Sequence, residues 1–290
     1  MTLKLFTQGF SMRFFSSASN SNLIQSLSSS AMSKYLGNVN ELLTVAPELS
    51  RYPAEQWEKS FNTLRRIGFN ANKFAHMASQ HPKILIKSED KLSTAMNQWR
   101  AFNFGEKLTF QLLERYPELL DVRNFHLTNA NLGVINSFVG QKNGYKVLRN
   151  SPNVATEQTD LLKEKIEYLQ DVMRVDPVEV YKSDVFSYDL LKIKTRHMFL
   201  ERLGMYFKKK QGDKNDAHEI NKNPKLSKIV DSSDKRFATK LCHVTLEEYE
   251  TFVDIYKEEI DKIEGRYQEP YEQELDEDEN EDQLNFEKIR

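Results

Sequence analysis

The sequence predicts an all-α protein, a right-to-left stacked helical-repeat solenoid of about five to six units of about 35 residues. Three observations predict it. Pro47, Pro82, Pro117 and Pro152 each stand 35 residues from the one before. The residues around them match in type at fixed offsets. No alternating apolar and polar segment bounded by turns recurs, which disfavours sheet.

Each unit reads as a helix, a proline-marked break and a second, amphipathic helix. Before the prolines stand Leu42-Leu43, Met77-Ala78, Leu112-Leu113 and Val147-Leu148, and two residues after them stand Leu49, Ile84, Leu119 and Val154. Offset ten holds Trp57, Leu92, Leu127 and Leu162; offset fourteen holds Phe61, Met96, Asn131 and Ile166; offset seventeen holds Leu64, Trp99, Val134 and Leu169. These three offsets share one face at 3.6 residues per turn. Proline ends the first helix because it lacks an N–H and clashes with the preceding turn. A fifth, degenerate unit has Ser183 at the proline phase and continues through Val185, Ile193, His197, Leu200 and Leu203. Asn131 and His197 are the polar exceptions at buried phases, expected as hydrogen-bonded core groups. A short helix pair cannot bury its apolar face alone, so the units must stack.

The 290 residues are 39% hydrophobic and 29% charged, enough to build a core and stay soluble. No run approaches the roughly 18 to 20 apolar residues of a membrane span. The single cysteine, Cys242, excludes an internal disulfide framework and a multi-cysteine zinc site. A net charge of −2 conceals an asymmetry: residues 258–290 hold 14 acids against 4 basic residues, leaving the rest of the chain strongly basic. A basic body with an acidic tail suits a polyanionic partner.

The domain plan follows from composition. Residues 1–40 contain no Asp or Glu, carry Lys4, Arg13 and Lys34, and hold ten serines, so 1–33 reads as a mitochondrial transit peptide. Residues 34–207 are the repeats, 208–223 a flexible polar connector, 224–267 a C-terminal helical repeat and cap, and 268–290 an acidic disordered tail. The cap begins with Thr245 and Glu248 at capping-box spacing.

No phosphate-cradling glycine motif, HExxH spacing or nucleophilic constellation is present, so no catalytic residue, metal site or cofactor is expected. The candidate surfaces are basic and aromatic. Lys163 and Lys194 are equivalent at offset eleven, Lys165 and Arg196 at thirteen, and Arg65 and Arg100 at eighteen, with Lys192 and Arg202 nearby. Such rows suit phosphate contacts, which give affinity without base specificity. Offsets eleven and eighteen flank one side of the buried stripe and thirteen the other, so both rows cannot face one concavity. Phe199, Tyr206, Phe207, Tyr249, Phe252, Val253 and Tyr256 either close the solenoid or dock a partner.

The Leu-Leu-x-x-x-Pro pattern of Leu42–Pro47 and Leu112–Pro117 resembles the mitochondrial transcription termination factor family. The block LLKIKTRHMFLERLG over 190–204, the block CHVTLEEY over 242–249 and the acidic tail are similar to its fourth type. That resemblance implies a mitochondrial matrix adaptor without catalysis of its own. It implies binding of an RNA cytosine-5 methyltransferase and of large-subunit rRNA or the mitochondrial large ribosomal subunit. Other members of the family imply an alternative, a regulator or terminator of transcription that binds duplex mitochondrial DNA.

Overall fold

The computed structural model describes residues 17–207 and 223–263, and among them every regular element is helical. The expected connector, apart from residue 223, and the acidic tail lie outside the described residues.

Each of the first four repeats has a first helix, a 3₁₀ helix and a second helix. The first helices run Val39–Val45, Phe74–Gln80, Glu106–Arg115 and Gly144–Asn150. Each is closed by a capping residue that directly precedes proline, at φ between −128° and −141° and ψ between 73° and 78°. Proline excludes the α region for its predecessor, so the helix must stop there. The four prolines then open short 3₁₀ helices, Pro47–Arg51, Pro82–Ile86, Pro117–Asp121 and Pro152–Ala155. Long helices follow: Ala54–Ile67, Glu89–Arg100, Phe125–Val139 and Thr159–Glu167, the last running on as a π-helical turn, Tyr168–Val172. Ser88 and Asn124 cap two of them by accepting from Lys91 N–H and Leu127 N–H.

The first long helix stops at Gly68, whose φ of +116° accepts a left-handed turn; a β-carbon there would meet the Phe110 ring at 2.9 Å. The fifth repeat keeps the phase through Ser183: Tyr188 N–H donates to Val185 O as Tyr52 N–H does to Leu49 O. Its first helix is a single turn, Pro177–Val180, and its long helix is Leu190–Arg202. A sixth unit, Leu226–Val230 and Asp234–Arg236 with the π turn Phe237–Cys242, leads into the final helix Leu246–Ile263. Thr245 and Glu248 close the capping box there, with Glu248 N–H donating to Thr245 Oγ1 at 3.2 Å and Thr245 N–H to Glu248 Oε2 at 2.7 Å.

One reading of the sequence needs correction. The long helix of repeat three starts eight residues after its proline, whereas the others start seven after theirs. The extra connector residue turns its stripe by one position. Leu127 and Val134 are therefore only half-buried, while Thr128, Asn131, Leu132 and Ile135 face the core. Part of the expected leader, residues 17–33, lies within the described residues. Ser17–Ser29 is a helix packed on Val39–Val45 and Ala54–Ile67, and Leu27 and Met32 are fully buried. In the full chain these apolar groups pack with the first repeat. Of the expected leader, residues 1–16 lie outside the described residues.

Stacking uses a recurring arrangement. The long helices of repeats one, two and three pack against the 3₁₀ helix of the repeat that follows. Edge-on ring pairs join units, as Trp57 and Phe61 do with Phe74, and Phe69 with Phe110.

Candidate nucleic-acid interface and C-terminal cap

The 3₁₀ helices expose carbonyls that the long helix of the preceding repeat cannot ignore, because a buried carbonyl without a donor is costly. One structural position answers that need. Ser60 Oγ donates to Ile84 O at 3.1 Å, Asn131 Nδ2 to Val154 O at 2.8 Å, Lys165 Nζ to Phe186 O at 3.4 Å and Arg196 Nη1 to Ile229 O at 2.6 Å. Repeat two has Ala95 at that position, and Trp99 Nε1 donates to Leu119 O instead. With the one-residue shift of repeat three, all four donors stand at offset thirteen.

Lys165 and Arg196 are thus corrected from phosphate ligands to buried struts between repeats. Lys165 pairs with Glu157 and is 5% exposed. Arg196 is 0% exposed; it also donates to Val230 O at 3.1 Å and Asp234 Oδ1 at 2.5 Å, and its guanidinium lies 4.7 Å over the Phe237 ring. A phosphate could reach neither without pulling two repeats apart.

The other six cations remain accessible. Lys163 is exposed beside Asp160 at 3.2 Å, and Lys194, its equivalent one repeat on, leans over the Tyr168 ring. Lys192 lies 4.4 Å over Tyr188. Arg65 and Arg100 are exposed at equivalent positions of repeats one and two, Arg100 pairing with Glu106 at 3.0 Å. Between these two patches repeat three presents Asn129 and Asn136, so the basic rows are interrupted. Arg202 is exposed but engaged, with Nη2 at 2.5 Å from Glu259 Oε2 and its guanidinium over Phe252 and Tyr256.

The aromatic residues divide in the same way. Phe199, Tyr206, Tyr249 and Tyr256 are buried, which corrects them from partner contacts to cap core. Phe199 packs on Phe237, Tyr249 and Phe252 at centroid distances of 6.2, 5.2 and 4.8 Å. Tyr206 donates to Met173 O at 2.8 Å, and Tyr168 OH meets His197 Nδ1 at 2.8 Å. Burial pushes the Tyr206 and Tyr249 hydroxyls up in pKa. Phe252 and Val253 are half-buried and Phe207 is exposed. Leu203, placed in the fifth unit's buried stripe, is instead exposed, as are Ile255 and Ile263 on the final helix. Asn223 clips the ends of the connector by donating to Phe207 O and accepting from Phe207 N–H, both at 2.8 Å.

Comparison with known proteins bears on this architecture. The mTERF family model matches residues 13–238, most of the chain. The chain belongs to the mTERF family. It is 24% identical over 225 residues to a mouse (Mus musculus) protein, "Transcription termination factor 4, mitochondrial". That match covers 77% of this chain, and the chain spans 62% of the relative's length.

Two titratable groups bear on what this mTERF chain can do. Burial raises the Cys242 thiol to about 11, so it stays protonated at neutral pH and is a poor nucleophile. Asp231 Oδ1 accepts Asp184 N–H at 3.0 Å, and burial raises its carboxyl from 3.8 to about 6. The folded state therefore holds this proton more tightly than the unfolded chain. The stabilisation is complete below about pH 4 and is lost as pH rises through 6. Asp231→Asn keeps the acceptor and removes the charge. At pH 7.5 it is expected to stabilise by about 1 to 2 kcal/mol, allowing for the group's partial exposure. Thermal melts between pH 4 and 8 check this; a melting temperature unchanged at pH 7.5 contradicts it. Among the described residues no cluster of three His, Cys, Asp or Glu side chains is placed to hold a metal, and no helix is long and apolar enough to cross a membrane.

Proposed function

We propose that this mTERF protein is a non-catalytic mitochondrial adaptor that binds structured RNA and carries an RNA cytosine-5 methyltransferase to the large ribosomal subunit. The carrying observation is the accessible set Lys163, Lys192 and Lys194 on adjacent repeats, beside a cap with Phe207, Ile255 and Ile263 exposed. A repeated array of cations matches a repeated array of phosphates and supplies register without base readout. The mouse relative's mitochondrial name supports the location, and residues 1–16 with Lys4 and Arg13 support an import address leading to the matrix. The same relative's name, a transcription termination factor, favours the second reading, a regulator or terminator of transcription bound to duplex mitochondrial DNA.

Crosslinking in intact mitochondria followed by sequencing separates the two. Large-subunit rRNA recovered with a methyltransferase supports the adaptor; mitochondrial DNA without either supports the second reading. At the residue level, Lys163→Gln with Lys194→Gln is expected to weaken binding of a stem-loop RNA. The slope of log affinity against log salt should fall by about 0.7 to 0.9 for each phosphate no longer neutralised. An unchanged slope assigns both lysines to ordinary solvated surface.

A further inference from the structure

A groove of about 900 Å³ opens between repeats two and three, with Ala95 in its lining. Lys83 comes from the 3₁₀ helix of repeat two, Lys91 from the first turn of its long helix, and Arg123 from the connector of repeat three. All three are exposed, and none makes an ion pair within the described residues. Arg123 lies in the connector that is one residue longer than in the other repeats, so the segment that turns repeat three's stripe also supplies a cation to this groove.

The groove's acids do not cancel this charge. Asp121 is already committed: Lys87 pairs with one oxygen, and His81 Nε2 stands 2.7 Å from the other. Burial alone would raise the Asp121 carboxyl, but the Lys87 hydrogen bond and the charges of Lys87, His81 and Lys83 together override it and hold the group below the usual range. Lys87 also reaches Leu120 O at 3.5 Å, so it is fixed in the wall. Among the described residues, Asp90 is left as the only other acid of the groove, beside three cations that make no ion pair, although the charge of Lys83 also acts on Asp121. No aromatic side chain of the described residues lines it, so stacking on bases is not available there.

We propose that this groove holds the sugar–phosphate backbone of the bound nucleic acid, with Lys83, Lys91 and Arg123 each neutralising a phosphate. The inference rests on the nucleic-acid reading above and deepens it. Ala95, the offset-thirteen residue of repeat two, lines this groove, whereas Lys163 and Lys194 stand on the other flank at offset eleven, so the groove is a contact separate from that face. Cations from two different repeats fit a chain of phosphates better than a single small anion, and the missing aromatic platform makes the contact independent of sequence.

The test uses the full chain and a fluorescein-labelled stem-loop RNA. Changing Lys83→Gln, Lys91→Gln and Arg123→Gln together is expected to lower the salt slope by about 2, on the 0.7 to 0.9 scale per phosphate. The charge-keeping set Lys83→Arg, Lys91→Arg and Arg123→Lys is expected to leave it unchanged. Amine acetylation of the unaltered protein provides a second readout: bound RNA should protect Lys83 and Lys91 but not Lys225 or Lys228. A parental slope in the triple glutamine variant overturns the groove assignment while leaving the broader reading in place. So does full acetylation of Lys83 and Lys91 under bound RNA. An unaltered protein that binds no nucleic acid overturns the broader reading and the groove with it.

Discussion

Arg196→Ala is expected to destabilise the protein by about 3 to 5 kcal/mol, the range for removing one partner of a buried charged network. The guanidinium is wholly buried and serves Ile229 O, Val230 O and Asp234 at once. Asp234 is exposed and recovers water, but the two carbonyls are left without their donor inside the junction of repeats five and six. Taking the guanidinium away from the Phe237 ring also opens a cavity. The effect should be local: amides of 226–242 exchange faster while those of repeats one and two stay protected. Lys163→Ala, on exposed surface, should change stability by no more than about 0.5 kcal/mol. Denaturant melts with hydrogen exchange check both statements. An Arg196 variant of full stability but reduced salt slope would make this residue a phosphate ligand after all.

The double change Tyr249→Ala and Tyr256→Ala is expected to release the final helix from the body. Both rings are buried, and truncating a large buried aromatic side chain costs about 3 to 5 kcal/mol at each site. Tyr249 joins Phe199 and Phe237, while Tyr256 stacks on Phe252 at 5.7 Å. Failure of this variant to bind a partner would therefore report a detached cap, not a missing anchor. The discriminating change is Ile255→Ser with Ile263→Ser, because both side chains are exposed and their removal leaves the core intact. Limited proteolysis should cut the tyrosine variant near residue 245 and spare the isoleucine variant. Equal resistance of the two would contradict the packing assigned to the cap.

The sequence by itself determined the repeat. Four prolines at one spacing set the end of each first helix, because the chemistry acts on the neighbouring residue and needs no tertiary partner. The carbon-rich positions two residues later are buried in all four units, and the Thr245–Glu248 box forms where its spacing placed it. Tertiary structure decided three matters that periodicity leaves open. A helical wheel shows which face is apolar, but its two flanks look alike; only the neighbouring repeat's carbonyls make offset thirteen a strut and leave offset eleven in water. One extra connector residue in repeat three moves its whole stripe while the 35-residue proline spacing stays unchanged. The aromatic stripe of the cap needs covering, yet its period does not say whether the chain's own helices or a partner cover it; here Phe199 and Phe237 do. Local chemistry is encoded over a few residues and can be read there, whereas the side of a helix that meets its neighbour depends on a stack that exists only once all the repeats have folded.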